Sequence, residues 1–181
     1  MPLIFFPIFN PNKKEMDSHL IKLCKFNVWA NDRICTWIKK AEPKVDEELK
    51  SSFPSIRKTL YHLWDAQFIW LARLNGESPN TWPSHSFKGS LDEAIEGLRQ
   101  NSVEFITYLE KLKTEEYQRQ VEFKAIDGTS YFNSVEEIIM HVMNHGTYHR
   151  GQLITMLRLV GFTAVESTDY IRYLRMKEKA E

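Results

Sequence analysis

Hydrophobic residues recur every three or four positions along four long segments of this chain, a period typical of amphipathic helices. The first segment runs from Asp17 to Ala41, the second from Ser55 to Asn75 and the third from Ser90 to Lys113. The fourth runs from Ser134 to Val160, and a shorter periodic stretch spans Ser167 to Lys177. We therefore predict an all-α fold: a four-helix bundle with a short C-terminal helix, in which long helices bury their apolar faces against one another.

Polar residues and one glycine mark where two of these helices begin or end. Asp17 or Ser18 can cap the first helix, and Ser134 with Glu137 matches a capping box at the start of the fourth. Gly161 provides a stop after the fourth helix, because glycine readily adopts the left-handed conformation that ends many helices. The fourth helix therefore has recognisable signals at both ends.

The stretch between the third and fourth helices breaks the helical period. Its segments VEFKAI and TSYF alternate in hydrophobicity on either side of Asp127-Gly128, a dipeptide favoured in tight hairpin turns. We therefore predict a small β-hairpin between Tyr117 and Phe132, before the last long helix.

Length and charge limit the kind of protein this chain can be. Its 181 residues suit one domain spanning 1–181, with an N-terminal arm over 1–16. The apolar LIFFPIF segment of that arm is too short for a membrane span and lacks the basic lead of a secretory signal. The 24 basic and 24 acidic side chains balance, so neither nucleic acid nor an anionic membrane is an expected partner. We expect a cytoplasmic protein.

The two cysteines, Cys24 and Cys35, are predicted to be reduced. They lie on one helix, eleven residues apart in sequence, which corresponds to about 16 Å along the helix axis. A disulfide requires much closer Cα atoms, so the two cannot pair within that helix. We interpret both as small apolar core residues.

Three of the six histidines recur at four-residue steps in the fourth helix: His141, His145 and His149. This step places successive imidazoles on one face, where two neighbours can bind one divalent ion. A catalytic zinc site commonly has three protein ligands, so a third is needed from elsewhere. His62 is the best candidate, because it lies on the apolar stripe of the second helix, whereas His85 lies in a proline-rich loop.

Four segments carry a resemblance to a known family. They are FNVWANDRI, LYHLWDAQFIWLARL, HVMNHGTYHRGQLITMLRLVG and STDYIRYLR. Together they resemble the DinB-like family of metal-dependent enzymes, whose relatives include bacillithiol transferases and the mycothiol-dependent maleylpyruvate isomerase. The resemblance implies a four-helix bundle, often a homodimer, in which His62, His145 and His149 bind one divalent metal ion per chain. Zinc or nickel is expected, with iron as an alternative.

The resemblance also implies a class of chemistry. We expect a metal-dependent enzyme that activates a low-molecular-weight thiol for transfer to an electrophilic small molecule. One alternative is a hydrolase that uses metal-bound water, and another is a non-catalytic, stress-related dimer in which the ion clamps two helices. A fourth protein ligand would favour the last alternative.

The remaining motif residues receive supporting roles. Successive four-residue steps drift by about 40° around a helix, so His141 is expected in the core or beside the ligands rather than on the ion. Asn144, Tyr148 and Asp65 are candidates to orient an imidazole. For Asn144 and Tyr148, a position facing solvent or packed against a neighbouring helix is an equal alternative. Arg150 is expected to pair with a carboxylate, of the protein or of a substrate. The indoles assigned to packing, with a substrate pocket as the alternative, are Trp29, Trp64 and Trp70.

Overall fold

The computed structural model describes residues 13–179, with side chains from His19 onward. Four long helices dominate: α1 (Lys13–Lys40), α2 (Ile56–Leu74), α3 (Leu91–Glu110) and α4 (Val135–Leu159). A short helix, α5 (Tyr170–Glu178), follows them. The predicted all-α class and four-helix bundle with a short C-terminal helix are thus confirmed.

The predicted start of the first helix is wrong by four residues. Helix α1 already includes residues 13–16, which we had assigned to the N-terminal arm. These residues are mostly polar, so the hydrophobic period does not extend to them, although their intrinsic helix propensity is good. The rest of the predicted arm, residues 1–12, lies outside the described residues.

Capping side chains begin three of the long helices. Ser55 accepts a hydrogen bond from the backbone N–H of Lys58 at the start of α2. Ser134 and Glu137 form the predicted capping box of α4, and Ser90 with Glu93 does the same for α3. Each box satisfies backbone N–H groups that the first helical turn leaves without a partner.

The predicted hairpin is present. Strand β1 (Gln120–Lys124) pairs with β2 (Ser130–Ser134) in an antiparallel register that sets Glu122 opposite Phe132. Gly128 has φ +86°, in the left-handed region that favours glycine, so the turn lies where the Asp-Gly pair predicted it. The buried Arg73 of α2 holds the hairpin to the bundle, since its guanidinium carbon lies 4.6 Å from the ring centroid of Phe123.

The order of the helices around the bundle differs from their order in the chain. Helix α1 packs against α3 and α4, and α2 packs against the same two helices, so α1 and α2 face each other diagonally. The starts of both α2 and α3 contribute to one apolar cluster, with Ile56, Leu60, Leu91 and Ala94. These two helices therefore run in the same direction, and the connection over residues 75–90 must return along the bundle. That return brings loop residues alongside α2.

Two apolar clusters fill opposite ends of the bundle, and buried polar residues lie between them. The first contains the end of α1 and of α4, and the second contains the start of both. Cys35 lies in the first cluster and Cys24 in the second, and both are buried free cysteines as predicted. Among the described residues, no helix is long and apolar enough to cross a membrane.

Candidate metal centre

Three histidine side chains meet where α2 packs against α4. His62 lies in the first half of α2, and His145 and His149 lie on successive turns in the middle of α4. One ring nitrogen from each histidine lies within 4.8 Å of the others. The structure therefore brings together the three residues that the sequence analysis selected as ligands.

The spacing of the rings suits a small ion. Nε2 of His62 lies 3.0 Å from Nε2 of His145, and the ring centroids of His145 and His149 are 4.3 Å apart. Two imidazole nitrogens bound to a tetrahedral zinc ion at about 2.0–2.1 Å would lie roughly 3.3–3.4 Å apart. The separation of the His62 and His145 Nε2 atoms is therefore close to that of two ligands of one zinc ion.

The environment keeps these imidazoles in the neutral form that binds metals. Burial, followed by the charge of neighbouring His149, lowers the pKa of His62 to about 4. Burial and three neighbouring histidines lower the pKa of His145 to about 3. Burial also lowers the pKa of His149, against an opposing hydrogen bond from Gln152. At neutral pH each ring therefore has one unprotonated nitrogen that can bind a cation.

Gln152 orients His149 and was not predicted to do so. Its Oε1 lies 2.8 Å from Nδ1 of His149, three residues earlier on the same helix. A proton on Nδ1 would make that contact a hydrogen bond and would leave Nε2 free to bind an ion. The Nε2 group of Gln152 donates to Ser52 Oγ and to the Tyr148 hydroxyl. The three-residue spacing was the sequence signal for this contact.

Of the three residues proposed to orient the imidazoles, Tyr148 contacts one of the rings, whereas Asp65 and Asn144 have other surroundings. The carboxylate of Asp65 accepts hydrogen bonds from Ser84 N and Oγ, at 2.8 and 2.6 Å, and thereby holds the returning loop against α2. Tyr148 touches the His149 ring edge-on, with centroids 4.9 Å apart, and its hydroxyl accepts from Gln152. Asn144 is exposed and lines a cavity between α1 and α4.

His141 lies on the surface rather than in the core, so the core placement was wrong. Its ring centroid is 5.8 Å from that of His145 and 5.0 Å from that of Trp70. Among the described residues, the ring nitrogens that converge are those of His62, His145 and His149, and His141 is not one of them. This position beside the ligands agrees with the rotation of four-residue steps around a helix.

Arg150 has amide and hydroxyl partners where we had predicted a carboxylate. Its Nη1 donates to the side-chain oxygens of Asn27 and Asn31, at 2.6 and 2.9 Å, and its Nη2 donates to Thr147 Oγ1. Only 2% of the residue is exposed, and burial lowers its pKa to about 10. Asn31 continues the network by donating to Ser102 on α3. Sequence patterns did not reveal this link between α4, α1 and α3.

The three tryptophans serve packing, as predicted. Trp29 packs with Phe26 and Tyr173, and Trp64 packs against the first apolar cluster. Trp70 contacts Phe123. Two aromatic residues beside His62 lie in loops that the sequence analysis did not single out. Phe53 stacks on His62 with ring centroids 4.3 Å apart, and Trp82 lies 6.2 Å from the same imidazole.

Comparison with known sequences identifies the family of this chain. The DinB family profile matches residues 14–181. Protein DinB of Bacillus subtilis (strain 168) is 28% identical over 169 residues, which cover 89% of this chain and 96% of that protein. The chain therefore belongs to the DinB family.

Two solved structures share this fold. A DinB-like protein from Bacillus cereus ATCC 10987 superposes with a TM-score of 0.65 at 13% identity, covering 83% of this chain and 96% of its own. YfiT from Bacillus subtilis superposes with a TM-score of 0.56 at 15% identity, covering 88% of this chain and 95% of its own. YfiT is described as a probable metal-dependent hydrolase with an unusual four-helix bundle topology. At these identities the likeness shows the fold alone.

Proposed function

We propose that this protein is a metal-dependent enzyme that binds one divalent ion through His62, His145 and His149. The observation that carries the proposal is the convergence of three imidazole nitrogens within 4.8 Å where α2 meets α4. Imidazole is a good ligand for zinc, nickel and iron. Among the described residues, the converging group offers three ligands and no fourth, which favours a site with an open position over a closed structural one.

For the reaction, we propose thiol transfer to an electrophilic small molecule. A bound divalent ion would lower the pKa of a thiol or water and polarise a substrate oxygen. The protein contributes three neutral imidazoles, which leave the full charge of the ion available. Gln152 fixes the orientation of His149, and the Phe53 ring covers His62 on one side.

Hydrolysis is the second candidate. One observation favours it: YfiT, which shares this fold, is described as a probable metal-dependent hydrolase. The same three imidazoles would serve both reactions, since each needs a neutral ligand set and an open position. The two candidates differ in whether the site accepts a thiol or only water beside the substrate. We further propose a cytoplasmic homodimer and zinc or nickel as the ion.

Metal content tests the ligand set. Elemental analysis of tag-free protein should find about one ion per chain in the wild type, as three-ligand sites bind a single ion. His62→Ala, His145→Ala and His149→Ala should each abolish stoichiometric binding, because removal of one ligand leaves only two. His141→Ala and His85→Ala are matched histidine controls that should retain the ion. Loss of the ion in His141→Ala, with retention in His145→Ala, would overturn the assignment.

Thiol titration tests the reaction. We expect the visible spectrum of the cobalt-substituted protein to change when a small thiol such as 2-mercaptoethanol is added, with saturation at increasing concentration. A spectrum that ignores the thiol but responds to acetate, a small oxygen ligand, would favour hydrolysis over thiol transfer. A spectrum that responds to neither ligand would indicate a closed site and contradict both enzymatic readings.

A further inference from the structure

A cavity of about 250 Å³ opens beside His62. Its walls come from three separate parts of the chain: the loop that precedes α2, the first three turns of α2 and the loop that returns along α2. The volume is slightly below the roughly 300–1,000 Å³ of pockets for drug-sized ligands. The cavity therefore suits a small organic molecule, and its contact with His62 places that molecule next to the candidate metal centre.

Aromatic rings form much of the wall. Phe53, Tyr61 and Trp82 line the cavity together with the imidazole of His62. The Phe53 ring is inclined by only 28° to the imidazole, at a centroid distance of 4.3 Å, so these two rings form a stacked pair. Rings of this kind pack best against another planar group in an offset-stacked or edge-to-face arrangement. The wall thus favours a planar ligand over a saturated one.

The cavity is lined by one lysine and one aspartate, which differ in exposure. Lys58 is exposed, and its Nζ lies 5.9 Å from the ring centroid of Tyr61. The neighbouring Arg57 is already engaged by both carboxylate oxygens of Asp46. The one acidic side chain among the lining residues, Asp65, is 4% exposed and is occupied by Ser84. Lys58 is therefore the cation available to a ligand.

From these observations we propose that this cavity is the substrate subsite of the enzyme and that it selects a planar aromatic carboxylate. The carboxylate pairs with Lys58 at the mouth, and the ring packs against the aromatic wall that Phe53 and Trp82 help to form, beside His62. The assignment of the cavity as a substrate site rests on the proposed enzymatic function. Among the residues that line the cavity, only His62 is also a candidate metal ligand. Ligand binding in the cavity can therefore be tested separately from metal binding.

Benzoate is the probe that tests this subsite. We expect isothermal titration calorimetry to detect benzoate binding to the wild type, both with zinc and with zinc removed by a chelator. Lys58→Met keeps the side-chain stem and removes the charge, and should weaken benzoate binding about fivefold, as expected for a partly exposed ion pair. Lys50→Met is the matched control, since Lys50 is exposed on the opposite side of the same loop, and should bind benzoate as the wild type does.

Two further ligands separate the contribution of charge from that of shape. Benzamide, which is planar but neutral, should bind more weakly than benzoate and should not respond to Lys58→Met. Cyclohexanecarboxylate, which is charged but not planar, should bind more weakly than benzoate, and Trp82→Leu should reduce that preference about threefold. Benzoate binding that is absent, or that is equal in Lys58→Met and the wild type, would overturn the proposal.

The titration without zinc separates this proposal from the proposed function. If the protein takes up no metal but binds benzoate in a Lys58-dependent way, the subsite stands and the metal-dependent function fails. If the protein takes up metal and the zinc-free form does not bind benzoate, the subsite fails and the metal centre stands. Benzoate that binds only with zinc, and equally well in Lys58→Met, would be a ligand of the ion and would also overturn the subsite.

Discussion

His149 and Arg150 are consecutive residues of α4 whose side chains lie in two different polar environments. The imidazole of His149 joins His62 and His145, where three neutral nitrogens converge. The guanidinium of Arg150 extends into the bundle and donates to Asn27 and Asn31. The first group consists of possible metal ligands, and in the second the cation of Arg150 is hydrogen-bonded to amide oxygens. Helix α4 thus carries candidate metal ligands on one side and a buried polar network on another.

The comparison predicts that the two groups fail in different ways. Loss of a histidine should abolish ion binding and leave the fold intact, because the ligands are not needed to fill the core. Loss of the arginine should weaken the fold and leave ion binding intact. Buried polar groups without a partner are costly, whereas two of the three imidazoles, those of His62 and His145, are only partly buried.

The largest expected effect is on stability, for Arg150→Met. This change removes three hydrogen bonds and leaves the oxygens of Asn27 and Asn31 without their donor, at a cost of about 2–4 kcal/mol in the free energy of unfolding. Urea denaturation measures this cost. Arg158→Met, an exposed arginine two turns further along α4, should change stability by less than about 0.5 kcal/mol.

Metal content completes the test of Arg150. The Arg150→Met variant should still bind stoichiometric zinc at a temperature where it is folded. A variant as stable as the wild type, or more stable, would show that burying the charge costs as much as its hydrogen bonds contribute. That result would contradict the view of this network as a stabilising core.

The next effect concerns the affinity of the histidine group for its ion. Gln152→Ala removes the acceptor that faces Nδ1 of His149, and loss of such a partner typically weakens metal binding about 10–100-fold. Competition with a chromophoric zinc chelator measures the change. Gln152→Glu retains an acceptor and should bind zinc more tightly than Gln152→Ala. Gln100→Ala on α3, where the amide donates to Glu104, is the neutral control. Equal affinity in all four proteins would remove Gln152 from the site.

A pair of glycines sharpens the comparison through packing. A Cβ on Gly146 would lie 2.9 Å from Nη1 of Arg150 and 3.0 Å from Oδ1 of Asn27, whereas a Cβ on Gly151 would meet nothing within 4 Å. Gly146→Ala should therefore lower stability by about 1–2 kcal/mol, because it displaces the buried network. Gly151→Ala should raise stability by about 0.5–1 kcal/mol through helix propensity alone. Thermal unfolding of both variants tests the prediction, and a stabilising Gly146→Ala would contradict it.

Sequence reasoning was most successful where the signal is local. The helical period and the capping box of Ser134 and Glu137 depend on residues within a few turns, as does the Asp127-Gly128 turn. The four-residue step that places His145 and His149 together is equally local. His62 could be selected because one histidine lay on an apolar stripe. Family resemblance strengthened this choice.

Sequence reasoning failed where contacts join distant segments. Arg150 donates to Asn27 and Asn31, more than a hundred residues away, and this pairing depends on how α4 is rotated against α1. Phe53 and Trp82 lie beside His62 but belong to loops. Loops have no hydrophobic period from which such a position could be predicted. Trp82 does so because α2 and α3 run in the same direction, so the connection between them must return along α2. Helix period alone does not determine that direction.

The smallest expected effect is the dependence of stability on pH in the metal-free protein. Burial lowers the pKa of His145 from 6.5 to about 3 in the folded chain. Between these values the unfolded chain binds more protons than the folded chain, so stability is retained above pH 6.5 and falls as the pH decreases toward 3. His145→Gln removes one such group and should lessen the loss between pH 7 and 5 by about 1 kcal/mol, allowing for the partial exposure of the ring to solvent. Urea midpoints in a chelating buffer at these two pH values measure the difference.

Arg150 keeps its charge throughout this range, since its pKa is about 10, so Arg150→Met should show the wild-type dependence on pH. An equal loss of stability in His145→Gln and the wild type would mean that the pKa of the His145 imidazole is the same in the folded and the unfolded chain. The histidine group and the Arg150 group would then not differ in how they make stability depend on pH.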